Sequence, residues 1–126
     1  FLTYLGCRNG AQLHYVSDRL SGWRVHRGQE TSVGRLRTAA GSMFCYDSFL
    51  NDPALARWRV PFSRKLGESQ LAFGTGLLKC GRCVEAREHL RHAVRLKAGL
   101  RARVARAVSM LPPRLAQLVA TKLAGT

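Results

Sequence analysis

Carboxylates are scarce in this chain and stop early. Seven Asp and Glu stand against 21 Lys and Arg over 126 residues, a formal net charge of +14. From His89 to the end there are eight Lys or Arg and no Asp or Glu. A face of that kind attracts polyanions, such as anionic lipid headgroups, nucleic acid or a phosphorylated donor. Seventeen of the 21 cations are Arg and the tail is rich in Ala, a composition that suits a plain solvated helix equally well. Aromatic residues are absent after Phe73. Single-stranded nucleic acid is usually held by aromatics interleaved with cations, so their absence argues against that partner. No apolar run approaches the roughly 18 residues of a membrane-spanning helix. The first residues have neither a charged leader nor a continuous apolar stretch, so a secretory signal is not expected there. The expected setting is cytoplasmic, soluble or peripheral at the inner face of the plasma membrane. Cysteine is limited to Cys7, Cys45, Cys80 and Cys83, which do not form two close pairs. Free thiols are therefore expected in place of a four-cysteine zinc site or disulfides.

The length allows one modest core, and the chain divides into three regions. In residues 1–33, Leu2, Tyr4 and Leu5 suit a short helix ending at Asn9-Gly10. Ala11 to Val16 then alternates like a strand, Ser17-Asp18 turns, and Leu20 to His26 is a second extended stretch. Residues 34–63 are a linker with one helix, built on Val33, Leu36, Ala40, Met43, Phe44 and Leu50 and stopped by Asn51-Asp52-Pro53. Arg59 to Phe62 is expected to be a loop, because the residue before a proline disfavours the helical region. Residues 64–126 are helical. One helix runs from Leu66 to Lys79, Gly81-Arg82 turns, and a second runs from Cys83 to Leu96 with Ala86, Leu90, Ala93 and Val94 on one face. A third presents Leu100, Val104, Ala107, Val108 and Leu111 at helical spacing, and Pro112-Pro113 breaks it. Pro113 can open a last helix carrying Leu115, Leu118, Val119 and Leu123.

The stretch richest in chemistry is Leu20-Ser21-Gly22-Trp23-Arg24-Val25-His26-Arg27-Gly28-Gln29-Glu30-Thr31-Ser32. In an extended segment Arg24 and His26 point one way, Trp23 and Val25 the other. An Arg and a His converging before a Gly-containing loop can hold a diphosphate. Arginine forks onto phosphate oxygens, and neutral histidine ligates a divalent metal or donates to phosphate. Thr31 and Ser32 add hydroxyl donors, and Gly28 lets the backbone approach closely.

This run resembles the C-terminal signature of family 2 glycosyltransferases, an aromatic-Arg-x-His-x-Gly-x-x-Ser pattern. Leu2 to Gly10 is similar to the helix that follows the family's Glu-Asp dyad, and Leu13 to Leu20 to the strand entering the signature. The resemblance covers residues 1–33. It implies a GT-A fold, a nucleotide-sugar donor, a divalent cation (Mg or Mn) and inversion at the anomeric carbon. It places His26 at the metal or donor diphosphate, Arg24 beside the diphosphate or acceptor, and Gln29, Thr31 and Ser32 on a loop closing over donor. Trp23 would be a packing residue. The acceptor would be a polysaccharide or a lipid-linked glycan. The family's metal-binding and catalytic carboxylates precede this stretch, so the chain, which opens at Phe1, is expected to be a C-terminal portion. Acceptor deprotonation needs a carboxylate base. None is expected here, and neither catalysis nor a cofactor is expected of the chain alone.

The expected fold is mainly α, with one or two short strands near residues 12–26 that belong to a GT-A sheet, followed by a helical extension. Phe73-Gly74, Leu77, Gly81, Ala86, Leu90 and Ala93 fall at the spacing of one tetratricopeptide-type hairpin. Cys80-Gly81-Arg82-Cys83 then reads as turn and helix start, not as a redox pair or half a zinc site. The segment from Leu96 to Leu123 is similar to the Arg-rich extensions of bacterial members of the family, and Arg91, Arg95, Arg101, Arg103 and Arg106 are candidates for contact with an anionic membrane. The alternative to a transferase portion is a small basic helical adaptor, tetratricopeptide-like, that binds protein or polyanion.

Overall fold

The computed structural model describes residues 5–6, 8–12 and 35–123. Among them the protein is mainly helical and contains no strand. The extended stretches expected between residues 12 and 26 fall, apart from residue 12, outside the described residues. Five α-helices follow in order: α1 (Arg35–Leu50), α2 (Arg59–Lys79), α3 (Cys83–Arg95), α4 (Leu100–Val108) and α5 (Pro113–Leu123), with a 3-10 turn, Pro53–Trp58, between α1 and α2.

The turn at Asn9-Gly10 ends a helical segment as expected. Gly10 is left-handed (φ 89°), and the Ala11 N–H donates to the Gly6 carbonyl at 2.9 Å. Arg8 reaches from this segment to Asp52, with Nη1–Oδ2 at 2.8 Å. Asp52 is buried and uses its other oxygen to accept from the Ala54 N–H at 2.9 Å, which caps the 3-10 turn. Phe62 on α2 lies 5.2 Å from Phe49 and 6.2 Å from Tyr46, ring centre to ring centre, and seals α1 onto α2.

Helix α2 begins earlier than the sequence suggested. Arg59 to Phe62 is its first turn, not a loop. Pro61 is the third helical residue, where the missing N–H would have had no intrahelical partner. The preceding-residue rule is a bias, and the helix overrides it at Val60.

Helices α2 and α3 form the hairpin that the glycine and alanine spacing indicates. Both helices end in the same device. The Gly81 N–H donates to Leu78 and that of Arg82 to Leu77; the Lys97 N–H donates to Val94 and that of Ala98 to Ala93. This cap puts its central residue in the left-handed region, with Gly81 at φ 75° and Lys97 at φ 56°. Within the hairpin, close approach falls at Gly74 and Gly67, while Gly76 of α2 meets Leu36 of α1. A Cβ at Gly74 would lie 2.8 Å from Leu90 Cγ, and one at Gly67 would lie 2.9 Å from Leu96 Cβ. The core is Leu77, Leu78, Cys83, Ala86, Leu90, Val108, Ala116 and Ala120. Gln117 Nε2 donates to the Lys79 carbonyl at 2.8 Å and ties α5 to the end of α2.

The two short helices do not pack by their most apolar stripes. On α4, the buried positions are Ala102 and Val108, with Ala105 partly buried, and Ser109 just beyond the helix is fully buried. Leu100, Val104, Ala107 and Leu111, which mark the helical spacing in the sequence, are exposed. On α5 the buried residues are Ala116 and Ala120, whereas Leu115 and Leu118 are exposed. The alanines let these helices sit close against their neighbours, and the leucine stripe is left outside.

Candidate functional site

Arg24, His26, Gln29, Thr31 and Ser32, the residues expected to contact donor or metal, all lie outside the described residues. Among the described residues no three His, Cys, Asp or Glu side chains gather as a metal-binding group. Cys80 is exposed at the hairpin turn and Cys83 is buried at the start of α3, both as free thiols.

Among the described carboxylates, Glu68 and Glu85 have local partners. Glu68 pairs with Lys65 at 2.8 Å and lies 3.4 Å from Arg64; Glu85 takes a two-pronged contact from Arg82 at 2.8 and 2.6 Å. The Lys65 hydrogen bond holds the Glu68 carboxyl below its ordinary range, and Arg82 does the same for Glu85. His89 is half-buried between α2 and α3. Its Nδ1 is 2.7 Å from Gln70 Oε1, and its ring stacks edge-on against Phe73 at 4.7 Å. Burial pushes its pKa down, and the neighbouring His92 adds to this. A histidine held by two packing partners is a structural element of the hairpin.

The feature with the most chemical potential is the basic end. The cations Arg91, Arg95, Arg101, Arg103, Arg106 and Arg114 are all exposed, and none pairs with a described carboxylate. Local hydrogen bonds fix the platform beneath them. Arg87 Nε donates to the Ser109 carbonyl at 2.8 Å, and Ser109 Oγ donates to the Arg106 carbonyl at 2.6 Å, which anchors the end of α4 on α3. Between these helices lies a shallow open groove of about 260 Å³, lined by Val94, Arg103, Arg106, Ala107 and Met110. It sets two guanidinium-bearing residues beside apolar ones. The sequence indicated the arginines but not the exposed leucines among them. The signal available was the recurrence of Ala102, Ala105 and Val108 at three-residue spacing, an alternative inward face made of smaller residues.

No helix among the described residues is long and apolar enough to cross a membrane. No protein-family model, curated protein or solved structure matches the chain.

Proposed function

We propose that this chain is the C-terminal portion of a family 2 glycosyltransferase that moves a sugar from a nucleotide-sugar donor to a polysaccharide or glycolipid acceptor. The observation that carries the proposal is the run from Trp23 to Ser32, in which Arg24 and His26 are followed by Gly28, Gln29, Thr31 and Ser32. Those residue types in that order supply a forked cation, a metal or phosphate ligand, a close-approach glycine and hydroxyl donors. In this proposal His26 and Arg24 would form one wall of the donor site, His26 would hold a Mg or Mn ion or contact the diphosphate, and the catalytic carboxylates would belong to sequence upstream of Phe1. The helical body would be the extension that follows the catalytic domain.

The decisive experiment reads the coding sequence upstream of Phe1 and assays the encoded protein. A Glu-Asp or Asp-Asp pair just before Phe1, with divalent-dependent sugar transfer that His26→Ala abolishes, supports the proposal. A start codon at this position, or sugar transfer by the 126-residue chain alone, overturns it.

A second reading, a basic helical adaptor, is favoured by one observation. The α2–α3 hairpin packs Gly74 against Leu90 and Ala86 as a tetratricopeptide-type repeat would. An adaptor predicts that the chain folds by itself and binds a protein or polyanion with strong salt dependence.

A further inference from the structure

The exposed residues of α4 and α5 combine two properties. The first is apolar exposure. Leu100 is 73% exposed, Leu115 54% and Leu118 57%, and Val104, Met110 and Leu111 are exposed with them. Leu100, Val104, Ala107 and Leu111 recur at four-, three- and four-residue steps on the side of α4 away from Ala102, Ala105 and Val108. Beyond the Pro112-Pro113 break, Leu115 and Leu118 are exposed leucines of α5 three residues apart. Monomeric proteins rarely leave a large contiguous apolar patch in water without a use for it. The second property is charge. Arg101, Arg103, Arg106 and Arg114 are interspersed with these side chains, and no carboxylate follows Glu88.

We propose that the outer face of α4 and α5 is an interfacial docking surface for an anionic phospholipid bilayer. Leu100, Val104, Leu111, Leu115 and Leu118 enter the headgroup–acyl boundary, and Arg101, Arg103, Arg106 and Arg114 contact lipid phosphates. A leucine stripe bordered by arginines is the pattern of helices that lie in the membrane plane, with the apolar side chains sunk about 5–10 Å into the boundary. Arginine suits the margin because its aliphatic stem covers apolar surface while its head stays with phosphate. The open groove beside Arg103, Arg106 and Met110 gives a headgroup phosphate two guanidinium donors next to an apolar edge.

Charge complementarity selects this occupant. A second copy would bring an equally cation-rich, carboxylate-free face against the first. Nucleic acid would reward the arginines but gain little from five exposed aliphatic side chains, and no aromatic residue follows Phe73 for base stacking. An anionic bilayer rewards both properties at once. This inference does not depend on the transferase proposal, since docking is read with no donor or acceptor present.

Flotation of the whole 126-residue chain tests it, using vesicles of phosphatidylcholine alone and vesicles with phosphatidylglycerol added. The chain is expected to float with the anionic vesicles and to stay behind with the neutral ones. The triple variant Arg101→Gln/Arg103→Gln/Arg106→Gln should lower partitioning by about a hundredfold, at roughly fivefold per cation. The triple variant Leu100→Gln/Leu115→Gln/Leu118→Gln keeps every charge and should lower it by about tenfold or more, most clearly at high salt where the charge contribution is screened. All six positions are exposed, and circular dichroism melts of both variants are expected to match the parent. Failure of the parent chain to float with anionic vesicles overturns the proposal. So does a leucine variant that floats as well as the parent, because the face would then be a plain polyanion surface, which a DNA titration would show.

Discussion

Replacing Gly74 by alanine tests the helix hairpin at its closest point. In an exposed helix interior, glycine to alanine stabilises by about 1 kcal/mol because the unfolded chain loses freedom. Gly41, on α1, is such a site, since a Cβ there meets nothing within 4 Å. At Gly74 the same methyl would sit 2.8 Å from Leu90 Cγ, 2.9 Å from Leu90 Cδ2 and 3.4 Å from the Ala86 carbonyl oxygen. Leu90 is completely buried, so it has no free direction in which to retreat. Overpacking of this kind costs about 1–3 kcal/mol. Gly74→Ala should therefore be neutral to about 2 kcal/mol destabilising, while Gly41→Ala stabilises by about 1 kcal/mol. Urea unfolding with an unchanged slope measures both. The Leu90→Ala background supplies the cross-check. That change alone costs about 2–5 kcal/mol, but it removes the atoms the methyl would strike. In that background Gly74→Ala should be stabilising, a coupling of about 1–3 kcal/mol between the two sites. If Gly74→Ala stabilises as much as Gly41→Ala while Leu90 is present, α2 and α3 do not meet here.

Three further outcomes are expected. Lys97 holds the left-handed cap position at φ 56° that Gly81 holds at 75° on α2, so Lys97→Gly should raise stability by about 1 kcal/mol and Gly81→Ala should lower it by a similar amount, read as shifts in the urea midpoint. Asp52→Ala removes both the cap on Ala54 and the partner of Arg8, and should cost about 1–2 kcal/mol in the same assay. His89 has its pKa lowered below the ordinary 6.5 by burial; folding therefore favours the neutral ring. Its contribution is complete above pH 6.5 and declines as pH falls from there through the lowered folded-state value, and His89→Gln should flatten that decline.

The helical hairpin was legible because its signals are local and strong. Gly81 marks the turn, Ala86, Leu90 and Ala93 mark the face, and Gly74 marks the close approach, all at fixed spacing along two helices. Pro113 likewise marked the start of α5. The start of α2 was misread because a proline tolerated in the first turn gives the same sequence signal as one that breaks a helix. The inward faces of α4 and α5 were not legible for a different reason. Hydrophobic periodicity identifies the most apolar stripe, whereas burial follows the stripe that lets backbones come closest. Where the two differ, as at Ala102 and Leu100, composition alone favours the wrong one. The expected donor site stands on residue order alone, since its five residues lie outside the described part of the chain.

The tightness of the packing and the exposure of the leucines are therefore one property. Ala86, Ala93, Ala102, Ala116 and Ala120 are each 2% exposed or less. Methyl side chains at those positions bring helix axes close, and Gly67 and Gly74 do the same on α2. A bundle closed this way has little interior volume for large side chains, so the leucines of α4 and α5 remain in water. Had the leucines faced inward, the helices would stand further apart and the outer face would carry the alanines and Ser109. Such a face, with the same arginines, would attract polyanions and offer a bilayer little apolar area. The orientation adopted instead leaves some core burial unused and places the apolar side chains among the cations. That cost in burial is understandable if a partner that is both apolar and anionic covers the face.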